Sequence, residues 1–305
     1  MSLIHTFSGN PLDRADAKRR DADWLAAAER SFSSRFLPFA DLNVLLKGNA
    51  LGWVSAVEVE AAANGAEPIL LGLDEDVAHF AVDVSGDGDP LARLGLSGSW
   101  RFEDCRMAAM RMAAAETGIV AQARAQLGWH DRHRHCSVCG APTTAAKGGH
   151  VRQCGACGAE HFPRTDPVVI MLITDSERCL LGQPHGPLVR TGMYSALAGF
   201  MDQGESIEEA VRREVFEEAG LSVGEVSYHS SQPWPFPSSL MIGCHGKALS
   251  TDIKIDPEEM ADVRWFERTE VVRALDGAST TLKVPGAIAI AHHLIKDWAS
   301  GQVTL

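Results

Sequence analysis

Missing from this 305-residue chain, first, is any apolar run long enough to cross a membrane. Its longest apolar-rich stretch, Met107 to Leu127, is interrupted by Arg111, Glu116 and Arg124, the pattern of an amphipathic helix and not of a span. The opening MSLIHTFSGNPLDRADAKRR holds no hydrophobic core of signal-peptide length, and the closing GQVTL matches no lipidation or organelle address, so a cytoplasmic protein with no membrane partner is expected. Positive charge is scarce as well. Against 40 Asp and Glu stand 28 Lys and Arg, and the resulting −12 repels nucleic acid and anionic lipid at long range. An anionic substrate must therefore be drawn in by local cations or by metal ions. A disulfide framework is also lacking: the seven cysteines are an odd number, and four of them fall into two CxxC pairs, which favours metal binding in a reducing compartment. There are no internal repeats. What remains, 45% apolar and 22% charged residues, is the composition of a globular protein of two or three modules.

Periodicity suggests a helix from Asp16 to Arg30, then strands at Leu42 to Leu46, Ile69 to Leu73 and Val77 to Val84. No catalytic constellation appears there. A polar, Gly-rich segment from Ser85 to Arg101 leads to the Met107–Leu127 helix, which ends near Trp129 and delivers the chain to the cysteines. Beyond them come strand patterns at Pro167 to Thr174, Tyr194 to Phe200, Val223 to His229, Leu240 to Leu249 and Ala261 to Phe266. Helical patterns fall at Ser206 to Ala219 and Ala287 to Trp298. Mixed strands with few helices predict an α+β or α/β/α sandwich. The expected division is an N-terminal α+β domain over residues 1–130, a cysteine module over 131–163 and a catalytic domain over 164–305.

Cys136 and Cys139 lie in CSVC, Cys154 and Cys157 in CGAC, with fourteen residues between the pairs. Turns containing Gly140, Gly155 and Gly158 can let two thiolates from each pair converge on one Zn²⁺. Four thiolates leave no open position, so this zinc is expected to be structural. The neighbouring His133, His135, His150 and His161 are then solvated or hydrogen-bonding. Five cations (Arg132, Arg134, Lys147, Arg152, Arg164) against Asp131 and Glu160 make the module basic, a pattern that serves solubility as readily as phosphate or RNA contact.

Residues 199 to 221 read GFMDQGESIEEAVRREVFEEAGL. Ser206 followed by Glu209 is a capping box that starts a helix, and Gly220 suits the left-handed residue that ends one. Glu214, Glu217 and Glu218 stand at i, i+3 and i+4, within about 6 Å of one another at their Cβ atoms. Like charges so close repel. The only nearby cations, Arg212 and Arg213, precede the cluster, an arrangement that makes sense if bound cations hold it together. Carboxylate oxygens suit Mg²⁺ or Mn²⁺, which can bridge a diphosphate and acidify a bound water. A bare ExxEE face would be ordinary solvated surface. Here the whole pattern G-x5-E-x7-R-E-U-x-E-E-x-G-U, with U a bulky aliphatic, is met at every fixed position, and the chain is identified by it as a member of the Nudix hydrolases, which cut nucleoside diphosphates linked to another group.

The segment SQPWPFPSS, residues 231 to 239, carries three prolines that predict an extended, rigid backbone presenting Trp234 and Phe236 for stacking on a base or nicotinamide ring. Following a Nudix box and preceded by a four-cysteine ribbon, it resembles the signature of the NADH pyrophosphatase branch, over about residues 131 to 298. The resemblance implies a Nudix α/β/α sandwich with a zinc ribbon, acting on NADH or NAD⁺ to give the nicotinamide mononucleotide and AMP, and removing the NAD cap from RNA 5′ ends. It further implies that Glu214, Glu217 and Glu218 are catalytic and bind Mg²⁺ or Mn²⁺ with the carbonyl of Ala198 and with Glu259, in EEMADVRWF. Gln232, Pro233, Trp234, Pro235, Phe236, Pro237, Ser238 and Ser239 correspond to the dinucleotide-binding segment, Phe200 to an aromatic wall and Ala291 to a backbone substrate contact. Phe162, in EHFPR, stands where the family often has tyrosine: stacking survives, a hydroxyl hydrogen bond does not. Family members are typically homodimers. The other readings open at this point are a broader diphosphatase acting on ADP-ribose or dinucleoside polyphosphates, and a dinucleotide- or RNA-binding protein without turnover, against which the intact glutamates argue.

Overall fold

The computed structural model of the chain describes residues 5–63 and 65–303; Asn64 and the extreme ends read above for targeting signals, 1–4 and 304–305, lie outside them. Two compact units emerge. One takes Thr6–Thr165 together with Trp234–Ser238, the other His5, Asp166–Pro233 and the chain from Ser239 on.

In the first unit the elements run α1 (Ala22–Glu29), β1 (Arg35–Ala40), β2 (Asn43–Lys47), β3 (Ala50–Leu51), α2 (Ala56–Ala62), β4 (Ile69–Asp74), β5 (Val77–Asp83), α3 (Pro90–Arg93), β6 (Trp100–Glu103), α4 (Cys105–Ala109), α5 (Ala114–Arg132), β7 (Thr143–Ala146), β8 (Val151–Cys154) and β9 (Glu160–His161). A sheet of order β3-β2-β1-β5-β4, with β6 beside β2, lies between helices. Its central strand is buried on both faces. Leu37 and Phe39 of β1 pack with Ile119, Val120, Ala123 and Leu127 of α5, whereas Phe36 and Ala40 pack with Leu25 and Ala28 of α1 and Val59 and Ala62 of α2. Each fully buried side chain of this kind is worth about 1.5–3 kcal/mol. Two expectations need correction. The first helix begins only at Ala22, because the Asp21 side chain accepts from the Trp24 amide and caps it there. The single helix expected over Met107–Leu127 is two: Asp104 caps α4 by accepting from the Arg106 and Met107 amides, and the chain breaks before α5, with Arg111 paired to Glu103 of β6.

The ribbon, β7-β8-β9, presents two identical knuckles. In one, Cys136 N donates to Ala141 O at 2.8 Å and Gly140 N to Cys136 O at 2.9 Å; in the other, Cys154 N donates to Ala159 O at 2.9 Å and Gly158 N to Cys154 O at 3.0 Å. Gly140 and Gly158 both take φ of +76°, a conformation a β-carbon would strain. The four Sγ atoms lie within 4.8 Å of one another, the donor set of a closed structural zinc site. His161 Nε2 sits 3.2 Å from Cys136 Sγ, outside the four-sulfur shell. Most of the ribbon's cations are already engaged: Arg134 pairs with Asp131, Lys147 with Glu160 at 3.0 Å, and Arg152 donates to Thr143 Oγ1 at 2.8 Å.

The second unit runs β10 (Asp166–Asp175), β11 (Arg178–Pro184), α6 (Pro187–Thr191), β12 (Leu197–Phe200), α7 (Ile207–Ala219), β13 (Val223–Trp234), β14 (Ser239–Ala248), β15 (Met260–Glu267), α8 (Arg268–Leu275) and α9 (Ile290–Ala299). Its sheet has the order β13-β14-β10-β11-β15, with β12 beside β10. Strand β10 is the axis, parallel to β14 from Asp166↔Ser239 to Thr174↔Lys247 and antiparallel first to β12, then to β11. Its period of two sorts the core. Val169, Met171 and Ile173 face α7 through Ala210, Val211 and Val215, while Ile170 and Leu172 face α9 through Ile290, Leu294, Ile295 and Trp298. This is the expected α/β/α sandwich within a mixed α+β chain. Two further expectations shift. The last helix starts at Ile290, three residues later than predicted, where Gln232 Oε1 accepts its amide at 2.8 Å. The segment predicted to be extended throughout reverses instead, Pro235–Ser238 forming the turn between β13 and β14 with Phe236 N donating to Trp234 O at 2.8 Å.

Replacing Cys154 by alanine should reduce bound zinc from about one ion per chain to a substoichiometric level and lower the melting temperature. Elemental analysis with thermal denaturation reads both. Full zinc content and an unchanged melt would remove the structural role assigned to this site.

Candidate catalytic site

The carboxylate cluster is built on α7, whose ends are fixed by its own sequence. Ser206 Oγ accepts from the Glu209 amide at 3.3 Å, the Glu209 carboxylate accepts from the Ser206 amide at 2.7 Å, and Gly220 closes the helix at φ 69° with its amide on Phe216 O. Ala210, Val211, Val215 and Ala219 pin one face into the core. That rotation divides the three glutamates. Glu214 and Glu218 are carried to the buried edge, 8% and 6% exposed, whereas the Glu217 side chain remains half in solvent.

Glu214 lies directly against the backbone of β12. A methyl group added at Gly199 would stand 1.9 Å from its Cδ and 2.0 Å from both carboxylate oxygens, so only glycine leaves it that space. The same contact brings Ala198 and Phe200 beside the cluster. Arg213 completes the link. Its guanidinium reaches Glu205 at 2.5 and 2.8 Å, Glu214 at 2.8 Å, Glu217 at 2.9 Å and the carbonyl of Phe200 at 2.9 Å. The expectation that the cluster is left wholly to bound cations is thus corrected: Arg213 neutralises part of it, because an arginine four residues before Glu217 shares its helix face. Arg212 turns away, donating to the carbonyls of Val223 and Gly224. Glu205, bonded to Arg213, is held well below the ordinary carboxylate range, at about 2.

Glu218 is in a different position. Its Oε2 is buried and has no hydrogen-bond partner. Burial, followed by the charges of Glu214, Glu259 and Glu217, pushes its carboxyl up to about 8. Burial likewise raises Glu214, with Glu217 and Glu259 adding to the rise against the opposing Arg213. Glu259, in the turn before β15, is therefore the member of the Glu258–Glu259 pair whose charge bears on both. An orphaned carboxylate oxygen among converging acids fits a hard divalent cation, and the all-oxygen donors Glu214, Glu217, Glu218, Glu259 and the Ala198 carbonyl suit Mg²⁺ or Mn²⁺. These glutamates are not drawn together as tightly as the thiolates: among the described residues, only the four cysteines form a ligand set all within 4.8 Å.

The other predicted residues are dispersed. Phe200 ends β12 and is 61% exposed; Phe162 follows β9, in the first unit, and is equally exposed. Gln232 is fully buried, and its amide bridges the Ile288 carbonyl and the Ile290 amide, both at 2.8 Å, which leaves its side chain a structural clamp on α9. Ala291 falls in the first turn of that helix with its side chain in the core. Pro233 and Ser239 flank the turn. Trp234, Pro235, Phe236, Pro237 and Ser238 cluster with the first unit, where Trp234 and Phe236 meet Phe7 edge-on at ring separations of 5.8 and 5.6 Å. The ion pairs that Arg213 makes with Glu205 and the glutamate cluster, and the space at Gly199, escaped the sequence reading. The spacing of Arg213 to Glu217 was the available signal.

Three family models match the chain in succession: an NADH pyrophosphatase-like rudimentary NUDIX domain over residues 33–129, an NADH pyrophosphatase zinc ribbon domain over 131–162 and a NUDIX domain over 164–284. Among similar proteins, the NAD-capped RNA hydrolase NUDT12 of Homo sapiens is 38% identical, covering 96% of this chain and 72% of its own. The NAD-capped RNA hydrolase NudC of Mycobacterium bovis is 36% identical over 94% of this chain and 92% of its own. The mitochondrial NAD(P)H pyrophosphatase NUDT13 of Homo sapiens is 38% identical over 77% and 72%. A solved NUDIX hydrolase from Nitrosomonas europaea, 22% identical, covers 55% of this chain and 92% of its own at a TM-score of 0.46.

Two outcomes follow from the geometry. Gly199→Ala must displace the Glu214 carboxylate, and Mn²⁺ affinity measured by electron paramagnetic resonance should fall roughly 10- to 100-fold; unaltered affinity would show that Glu214 does not hold the ion from this position. The second concerns stability. Without metal, folded Glu218 keeps its proton up to about pH 8 while the unfolded chain loses it near 4.5, the ordinary value for a glutamate. The folded state binds more protons between those limits, so stability falls as pH rises through that window. Glu218→Gln cannot ionise, and the metal-free variant should melt above the wild type at pH 8, by an amount on the order of a few kcal/mol, with the gain vanishing towards pH 4. Coincident melting curves at both pH values would contradict the raised carboxyl.

Proposed function

The chain belongs to the Nudix hydrolases, in the NADH pyrophosphatase branch that carries a zinc ribbon, and on that footing we propose that it hydrolyses the diphosphate of NADH and NAD⁺ and removes the NAD cap from RNA 5′ ends. The observation that carries the chemistry is the buried, unpartnered carboxylate of Glu218 beside Glu214, which is pressed against Gly199. The names of the relatives, NAD-capped RNA hydrolase and NAD(P)H pyrophosphatase, support the substrate.

In the reaction, water adds across the P–O–P bridge; one phosphorus–oxygen bond breaks, and the nicotinamide mononucleotide and AMP leave. Glu214, Glu217, Glu218, Glu259 and the Ala198 carbonyl would hold Mg²⁺ or Mn²⁺, which when bound would supply charge neutralisation for the diphosphate and acidity for the attacking water. Glu218, whose Oε2 has no hydrogen-bond partner, is the member of this set that takes the proton of the attacking water. Arg213 is a positioning residue: it orients Glu214 and Glu217 and ties them to β12 through the Phe200 carbonyl. Phe162 and Phe200 serve as aromatic walls, and the stretch from Gln232 to Ser239, with Ala291, as the dinucleotide-binding segment. Gln232 contributes through its backbone, since its side-chain amide is engaged elsewhere. On the same proposal the enzyme is a homodimer in the cytoplasm.

Purified protein with Mg²⁺ or Mn²⁺ should release AMP from NADH, with a higher kcat/KM than for ADP-ribose, and Glu218→Gln should lower kcat by about 10²- to 10⁴-fold without loss of fold. Absence of AMP in the chromatogram, or a variant retaining wild-type turnover, would refute the assignment. A preference for ADP-ribose would identify a broader diphosphatase.

A further inference from the structure

Helix α5 carries Arg124, Gly128 and Arg132 at i, i+4 and i+8, one stripe along its surface. Within the first unit this stripe, with Arg106 of α4, Leu42, Phe236 and Pro237, lines a cavity of about 250 Å³. No acid lines it. The guanidinium carbons of Arg106 and Arg124 lie 3.8 and 4.4 Å from the centroid of the Phe236 ring, and Arg124 also donates to the Pro235 carbonyl. At Gly128 a methyl group would stand 3.5 Å from Leu42 and 3.9 Å from the Arg132 guanidinium, ordinary van der Waals distances.

What sets these three arginines apart is their convergence: among the described residues Arg106, Arg124 and Arg132 form no ion pair, and all three line one cavity with no carboxylate in its wall. Burial lowers the proton affinity of Arg124, and the charges of Arg106 and Arg132 lower it further against the opposing Cys105 and Asp104, so the three arginines repel one another. Asp104 is itself engaged in capping α4. Aromatic contact relieves part of that repulsion. Three unpaired guanidiniums around one cavity, in a chain of net charge −12, call for an anion. Guanidinium forks favour phosphate over carboxylate-free alternatives such as halide, since each offers paired donors. The volume lies just under the ~300 Å³ at which pockets for drug-sized ligands begin, which suits one compact group.

We propose that Arg106, Arg124 and Arg132 form a phosphate-binding subsite beside Phe236, within the first unit, that takes a phosphate group of a dinucleotide substrate. This deepens, and rests on, the dinucleotide reading given above. Two sources share that chemistry: the phosphodiester that follows the cap in an NAD-capped RNA, and the 2′-phosphate of NADPH.

The test has two arms, both on the full chain. In metal-free protein, inorganic phosphate binding followed by ³¹P NMR should weaken at least about fivefold in Arg132→Gln and in Arg106→Gln, weaken less in Arg132→Lys, which keeps the charge but not the paired donors, and be unaffected by Glu218→Gln. In the second arm, Arg132→Gln should lower kcat/KM about tenfold for NAD-capped RNA if the diester is the occupant, or for NADPH if the ribose phosphate is, while NADH stays within about twofold of wild type. Circular dichroism confirms that each variant is folded. Unchanged phosphate binding overturns the subsite, as does an equal loss on all three substrates. A wild type that turns over none of them yet loses phosphate affinity in Arg132→Gln would sink the dinucleotide reading and leave the subsite standing.

Discussion

The energetic centre of the catalytic unit is the burial of Glu218 with one oxygen unpartnered, next to Glu214 and within reach of the charges of Glu217 and Glu259. A buried polar atom without a partner costs roughly 1–3 kcal/mol, and a charged one more. The surrounding structure makes this arrangement hold. Helix α7 cannot rotate the acids outwards, because Ala210, Val211, Val215 and Ala219 lock its opposite face onto β10. It cannot slide, because the Ser206–Glu209 capping box and Gly220 set both ends. Glu214 cannot back away from Glu218, since Arg213 binds it on one side and the bare Gly199 backbone receives it on the other. Arg213 has three carboxylates to satisfy and reaches none of the oxygens of Glu218. The strain is thereby concentrated on a single carboxylate, the one a divalent cation would relieve.

The opposite face of the same sheet shows how the frame is kept rigid. Strand β10 sends alternate residues to α7 and to α9, so displacement of one helix is felt by the other through a single buried strand. Gln232 ties the start of α9 to β13 with both ends of its amide, which satisfies an otherwise orphaned helix N-terminal donor and fixes where that helix begins. The chain then leaves this unit for five residues and returns at Ser239, with prolines at the corners. The rigidity attributed to those prolines is present, but it is the rigidity of a turn.

Much of this was legible in the sequence where local physics decides. Helix α7 was readable to within a residue because its cap and its stop are both side-chain or glycine events within its own sequence. The ribbon was readable because CxxC spacing encodes a knuckle, and β10 because the seven-residue apolar run from Pro167 to Ile173 reads as an interior strand. Where a distant partner decides, the sequence was opaque. The break between α4 and α5 depends on Asp104 and on Arg111 meeting Glu103; the late start of α9 depends on Gln232, 58 residues away. Strand β1, RFLPFA, is buried on both faces and has no alternation to read. Helix α2 is the instructive omission, since Ser55 and Glu58 form the same capping box that located α7, in a helix too short for its periodicity to stand out.

The arginines explain how an acidic chain can handle an anionic substrate. Arg213 is surrounded by carboxylates, and its charge is consumed in positioning them. Arg152 and Arg212 donate to backbone carbonyls and a hydroxyl, so they stiffen a ribbon hairpin and a strand end without presenting charge to solution. Arg106 and Arg132 belong to neither group, and Arg124, although it donates to the Pro235 carbonyl, likewise has no carboxylate partner. A guanidinium that never deprotonates near neutral pH cannot escape repulsion by losing its proton, as a lysine can, so keeping three together without acids has a standing energetic cost. In the absence of a structural counter-ion, the economical explanation is a transient one. The substrate class inferred from the Nudix helix carries such groups, and the only aromatic ring in that cavity, Phe236, comes from the segment that also narrows the substrate to a dinucleotide.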